Sequence, residues 1–222
     1  NNLFFNNSSN FSSGAIEVMS GFNSIFNNVI YNNSSVLRSG GLSNTPSYLG
    51  STWQVKNNIF YNNSKAGSTS SPGVDFENNI GNLALITFTN NMLQLPNNTT
   101  NYPTTSGTTY TDNIYATYPL FINPADPDGA DNLYRTADDG LTVLTHSSAV
   151  DNGTSTGAPT EDITGATRST TPDIGAYEVS CSPTPRSVYL SGSNHVAVPG
   201  YTEINTFAGN QLTIEAWVSA SS

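Results

Sequence analysis

A chain of 222 residues that is 36% hydrophobic, with 11 Tyr and 10 Phe, has enough apolar content for a core, and at 10% charged residues it does not resemble a disordered tail. The net charge is -10, and six Lys and Arg in all argue against nucleic-acid binding, which needs clustered cations to displace counterions. A lone cysteine, Cys181, excludes an intrachain disulfide and a thiolate metal cluster, and no run of 18 apolar residues marks a transmembrane segment.

The first 118 residues repeat one phrase. It occurs as NNLFFNNSS at 1 to 9, NNVIYNNSS at 27 to 35 and NNIFYNNSK at 57 to 65, with looser copies ENNIG at 77 to 81 and TNNML at 89 to 93. The offsets between the clear copies are 26 and 30 residues, and 33 more lead from Asn57 to Asn90. A period of this size marks a solenoid. Each copy alternates with period two, as a strand requires, placing Ile25, Asn27, Val29 and Tyr31 on one face and Val55, Asn57, Ile59 and Tyr61 on its counterpart. Phe76, Asn78 and Ile80, then Phe88, Asn90 and Met92, follow the same order. An asparagine on an apolar face is costly to bury alone, but copies stacked in successive coils satisfy one another. The pattern therefore predicts an inward ladder of Asn27, Asn57, Asn78 and Asn90, with the second asparagine of each pair facing solvent.

Short strands separated by Gly- and Ser-rich bends (SSG at 12 to 14, RSGG at 38 to 41, SPG at 71 to 73), with no 3.6-residue periodicity, predict a parallel β-helix. The competing arrangement is a β-sandwich of similar strands. Residues 1–118 resemble the right-handed parallel β-helix repeats of secreted bacterial proteins. The stretch YPLFINPADPDGADNLYRTADDGLTVLTHSSAVDNG at 118 to 153, with TPDIGAYEVS at 171 to 180, resembles the closing segment of that family. Ser148-Ala149-Val150-Asp151 departs from its usual proline and isoleucine. The expected fold class is all-β: a right-handed parallel β-helix over 1–118, a C-terminal closing segment over 119–181, and a linker at 182–186. Residues 187–222 resemble the opening of a laminin-G or concanavalin-like jelly roll, with Trp217 at the family's tryptophan. Because the phrase is already running at residue 1, the chain is expected to be a segment of a longer protein.

The acidity is concentrated. Residues 119 to 186 carry ten acids against Arg135, Arg168 and Arg186, a net of -7, while residues 1 to 118 carry -1. Asp126, Asp128, Asp131, Asp138 and Asp139 fall within 14 residues, and hard oxygen ligands at this spacing suit calcium, which would be structural; a solvated acidic turn is the alternative. The sequence lacks the closing glutamate of the twelve-residue calcium loop, since Ala137 stands there.

Polysaccharide lyases and glycoside hydrolases also use β-helices, so enzyme chemistry is the rival class. Arg38, Lys56 and Lys65 are the bases of the repeat region, and Asp75 and Glu77 share a strand face, but no general-base or paired-carboxylate signature appears. His146 stands apart, and THSSAVD is not a nucleophile elbow. The expectation is a secreted or cell-surface, adhesin-like stalk in contact with polysaccharide; a spacer without binding of its own is the third reading.

Overall fold

The computed structural model describes residues 1–18, 23–44, 52–78, 85–104 and 107–179. The chain divides into two compact units, Asn1–Cys181 and Ser182–Ser222. The second unit, and with it the expected linker and jelly-roll opening, lies outside the described residues, as does Ile80.

Successive short strands lie one coil apart and pair in parallel. In chain order they are β1 (Asn2–Phe5), β2 (Ser8–Ser9), β3 (Ile16–Val18), β4 (Asn23–Phe26), β5 (Asn28–Tyr31), β6 (Ser34–Ser35), β7 (Leu42–Asn44), β8 (Thr52–Lys56), β9 (Ile59–Tyr61), β10 (Ser64–Lys65), β11 (Phe76–Asn78), β12 (Leu85–Thr89), β13 (Met92–Leu93), β14 (Thr108–Thr111) and β15 (Ile114–Tyr115). No helix occurs among the described residues. Four stacked sheets result: sheet A, β1-β5-β9-β13-β15; sheet B, β2-β6-β10; sheet C, β3-β7-β11; and sheet D, β4-β8-β12-β14. Register follows the repeat, pairing Val29 with Ile59, Ile59 with Met92, and Met92 with Ile114. The fold is all-β with the stacked parallel sheets of a β-helix.

The asparagine pairs make the corners. Asn27, Asn57 and Asn90, with Asp112 in the last coil, adopt φ of 52 to 55° just before sheet A, and Asn6, Asn32 and Asn62 adopt 54 to 56° just after it. Asparagine tolerates this left-handed conformation better than other side-chain-bearing residues. The first residue of each pair therefore turns the chain, and the second enters the next strand.

The left-handed residue also resets the alternation. Ile25 packs in the lumen with Ile30, while Val29 belongs to a separate cluster on the other side of sheet A, with Tyr31 packed against it. The expected common face for Ile25, Val29 and Tyr31 is thus corrected: period two holds within a strand and fails across the bend. Sheet A is apolar on both faces, which is why its phrases read as unbroken triplets such as Val29-Ile30-Tyr31.

The lumen holds Ile30, Phe60 and Leu93 from sheet A, Trp53, Val55, Ile86 and Phe88 from sheet D, and Leu42 and Phe76 from sheet C. Coils stack closely: a Cβ on Gly40 would stand 2.5 Å from Asn33 O and 2.6 Å from Ser64 N, so only glycine fits that bend. The closing segment is mostly turns, and lays Phe121, Leu141, Val143, Ala149, Ile163, Ile174 and Tyr177 against the outer face of sheet A. Gly175, at φ 111°, lets its backbone N–H donate to Asn57 O at 2.8 Å, and a Cβ there would collide with Ile59 Cδ1 at 2.8 Å.

Candidate functional site

Two inner amide ladders run up the coils. In the first, Nδ2 of Asn2, Asn28, Asn58 and Asn91 donates to Oδ1 of Asn28, Asn58, Asn91 and Asn113 at 2.9, 2.8, 2.9 and 3.0 Å. The backbone N–H of Asn28, Asn58 and Asn91 donates to the same oxygens. In the second, Asn7 donates to Asn33 and Asn33 to Asn63, and Gln94 takes the last rung, accepting from Asn63 N at 2.8 Å. An outer row joins Asn62 to Asn32 and Asn32 to Asn6.

The expected ladder therefore has its members exchanged. Asn58, expected in solvent, is fully buried and forms a rung, as does Asn28. Asn27 and Asn57 are joined at 3.3 Å but sit at the bend beneath the closing segment, where Asn27 Nδ2 donates to Asp173 O and Asn57 Nδ2 to Thr154 O. Asn90 Nδ2 donates to Asn152 O, and Asn78 Nδ2 to Thr108 Oγ1. The left-handed bend points each first asparagine outward, so the interior row falls to its neighbour.

These bend asparagines dock the closing segment, and a carboxylate network holds it in shape. Arg168 is buried; its Nη1 bonds Glu178 Oε2 at 2.9 Å, and Nη2 donates to Asn1 Oδ1, Gly175 O and Ala176 O at 2.9 to 3.0 Å. Glu178 accepts from Ser169 N and Asp173 N, Asp173 from Asp151 N and Val179 N, and Asp162 from Glu178 N, Thr164 N and Ala166 N. The excess acid of this segment thus replaces missing strand partners, each carboxylate accepting several backbone N–H groups. Burial nonetheless raises Asp173 to about 6.

Part of the acidic loop does the same. Asp139 is buried, and its Oδ2 accepts from Arg135 N at 2.7 Å, Thr136 N at 3.3 Å and the Tyr177 hydroxyl at 2.5 Å. Asp138 is exposed and accepts from Ala130 N, Asp131 N and the Thr136 hydroxyl, the last of which contributes most to lowering its pKa. Asp131 accepts from Leu133 N. Asp126 and Asp128 are half-buried, and after desolvation the charges of Asp128, Asp139 and Asp126 raise the Tyr134 hydroxyl. Among the described residues no three His, Cys, Asp or Glu side chains form a group that could hold a metal ion. The Asp spacing that resembles a cation loop is accounted for at three positions by turns capped with carboxylates.

The pair Asp75 and Glu77 separates. Glu77 bonds Lys65 at 2.9 Å, whereas Asp75 is buried, accepting from Gln94 N at 2.8 Å and the Tyr102 hydroxyl at 2.5 Å, with Oδ1 unpartnered. Desolvation raises Asp75 to about 7 against the bonds that favour its charge. The Tyr102 hydroxyl oxygen in turn accepts from Leu95 N, so this pair fastens the loop after β13 to the coil below.

The outward face of sheet D is almost uncharged, and Thr156 and Gly157 of the closing segment meet it at Lys56 and Phe26. Ser24, Gln54, Thr87 and Thr109 stand side by side in register across β4, β8, β12 and β14. Phe26, Lys56, Thr89 and Thr111 form the next row, with Lys56 Nζ 5.4 Å from the Phe26 ring centroid. Flat rows of hydroxyl and amide groups can hydrogen-bond a sugar chain, while the Phe26 ring is already occupied by Lys56 over it and Gly157 of the closing segment against it. The sequence reading missed this face because its residues lie 22 to 33 positions apart and meet only through the register.

No family model matches the chain, and no curated protein matches it. No helix among the described residues is long and apolar enough to cross a membrane.

Proposed function

We propose that the chain is an adhesin-like stalk of a secreted or cell-surface bacterial protein, and that it contacts polysaccharide through the outward face of sheet D. The observation that carries this reading is the row Ser24, Gln54, Thr87 and Thr109: neutral hydrogen-bonding groups repeated at the strand spacing of about 4.8 Å, with Thr89 and Thr111 beside the last two. A neutral glycan offers hydroxyls to such a lattice without requiring a counter-charge. The ladders support the stalk part of the reading, since they tie each coil to the next. The resemblance of residues 1–118 to secreted bacterial β-helices supports the location.

The test is a glycan-array screen of the chain, with and without calcium, alongside an assay for unsaturated uronate product. The expected result is retention on a neutral glycan that is lost in Thr87→Glu, with no product. Retention that survives Thr87→Glu removes sheet D from the account, and product release moves the protein to the lyases. Loss of retention on chelation would mean that retention needs a divalent cation, and its further loss in a variant at Asp126 and Asp128 would be required to place that ion in the acidic loop.

A further inference from the structure

Sheet D gains a fourth strand, β14, whereas sheet C stops at its third, β11. The coil that supplies β13 and β14 crosses the vacant place with a loop, which shows no strand among the described residues 94–104. A pocket of about 210 Å³ occupies the gap. Phe76, Glu77 and Asn78 of β11 all line it. Successive residues of a strand point to opposite faces, so a pocket touching all three lies along the strand's edge.

The inner wall is apolar: Phe76 belongs to the lumen cluster, and Tyr110 of β14 packs against that cluster. The outer wall carries an ion pair, Lys65 Nζ to Glu77 Oε1 at 2.9 Å, while Glu77 Oε2 is enclosed without a partner. The remaining side is Thr100, Asn101 and Pro103, and it is built in advance. Asn98 Oδ1 accepts from Thr100 N and Asn101 N at 3.0 and 2.9 Å, and Asn101 Nδ2 donates to Pro96 O at 2.9 Å. The bond from the Tyr102 hydroxyl to Asp75 Oδ2 ties the same loop to the coil below.

This lining selects a class of ligand. The volume matches about seven waters, which suits one pyranose ring and not a peptide strand. The cation and the anion cancel, so no net charge calls for a charged partner. Lys65 keeps N–H donors beyond the one given to Glu77, and a carboxylate accepts more than one bond. Neighbouring hydroxyls, each a donor and an acceptor, can therefore bridge Lys65 and Glu77 while the C–H face of a ring rests on Phe76 and Pro103. We infer that the pocket at the edge of β11 binds a single neutral pyranose ring, either as free sugar or as the end of a glycan. The inference does not rest on the sheet D row, with which the pocket shares no residue.

The probes are D-glucose, D-galactose, D-mannose and N-acetyl-D-glucosamine, titrated into the full chain and followed by saturation-transfer NMR. Saturable binding of at least one is expected, weakened by about tenfold or more in Lys65→Met and in Glu77→Gln and unchanged in Thr87→Glu. Thermal unfolding checks that the variants are folded, and Glu77→Gln, which keeps both size and an acceptor, carries the test if Lys65→Met does not fold. The methyl glycoside of the sugar that binds separates the two sources: its binding places the end of a glycan in the pocket, and its exclusion reserves the pocket for free sugar. Absence of binding by all four sugars, or binding that both pocket variants leave unchanged, overturns the inference. So does loss in Thr87→Glu alone, which would return the sugar to sheet D, and so does displacement by equimolar free glycine, which would make the ion pair a zwitterion site.

Discussion

Asn28 bonds Asn58 twice: its backbone N–H and its Nδ2 both donate to Asn58 Oδ1, at 3.0 and 2.8 Å. Asn58 repeats the step to Asn91 and adds a bond from Nδ2 to Ile25 O at 2.8 Å. One buried side chain thereby uses both of its donors and accepts twice, so the desolvation cost of an interior amide is met in full. A ladder of this kind couples coils that are otherwise held by short strands of two to five residues.

Removing the buried positive charge of Arg168 should destabilise the closing segment. Arg168→Met leaves Glu178 buried without its partner, and the loss of stability to urea should be about 3–5 kcal/mol. Adding Glu178→Gln should cost less than the sum of the single changes, because the pair acts as a unit.

The two adjacent carboxylates of the acidic loop should behave differently. Asp139→Ala strips the acceptor from Arg135 N, Thr136 N and the Tyr177 hydroxyl in a buried place and should cost about 2–4 kcal/mol. Asp138→Ala, at an exposed position, should cost less than about 1 kcal/mol. Equal midpoints in urea would contradict the division of labour described for this loop.

Asp75 gives a pH dependence of known sign. Its ordinary value of 3.8 applies to the unfolded chain and about 7 to the folded one, so folding takes up a proton between these limits. Its contribution to stability is complete below pH 3.8 and is lost as pH rises through 7. Asp75→Asn keeps an acceptor for Tyr102 and Gln94 without the charge, so its melting temperature relative to the parent should rise from pH 4 to pH 8. The facing titratable groups are Tyr102 and Tyr110, both raised by burial well out of that range. A pH-independent difference would mean that Asp75 is not the titrating group.

The period and the phrase were enough to read the fold, because residues one coil apart must match when strands pair in register. The asparagine pairs were legible as bends for the same reason. Which asparagine of a pair enters the lumen was not, since one left-handed residue at Asn27 or Asn57 shifts the alternation by a step that a period-two count does not contain. The roles of Asp138, Asp139 and Asp173 were hidden because their partners are backbone N–H groups, which every sequence carries. Sheet D's outward row escaped detection because Ser24, Gln54, Thr87 and Thr109 share no residue type.

The most direct measurement of the central claim, that the second asparagine of each pair is the buried rung, compares the thermal and urea unfolding of Asn58→Ala with that of Asn62→Gly. Asn62 is exposed and left-handed, so glycine retains its backbone and removes its bonds to Asn32 and Tyr31 at the surface. The account predicts a loss of about 2–4 kcal/mol for Asn58→Ala and less than about 1 kcal/mol for Asn62→Gly. Equal losses, or a greater one at Asn62, would contradict it.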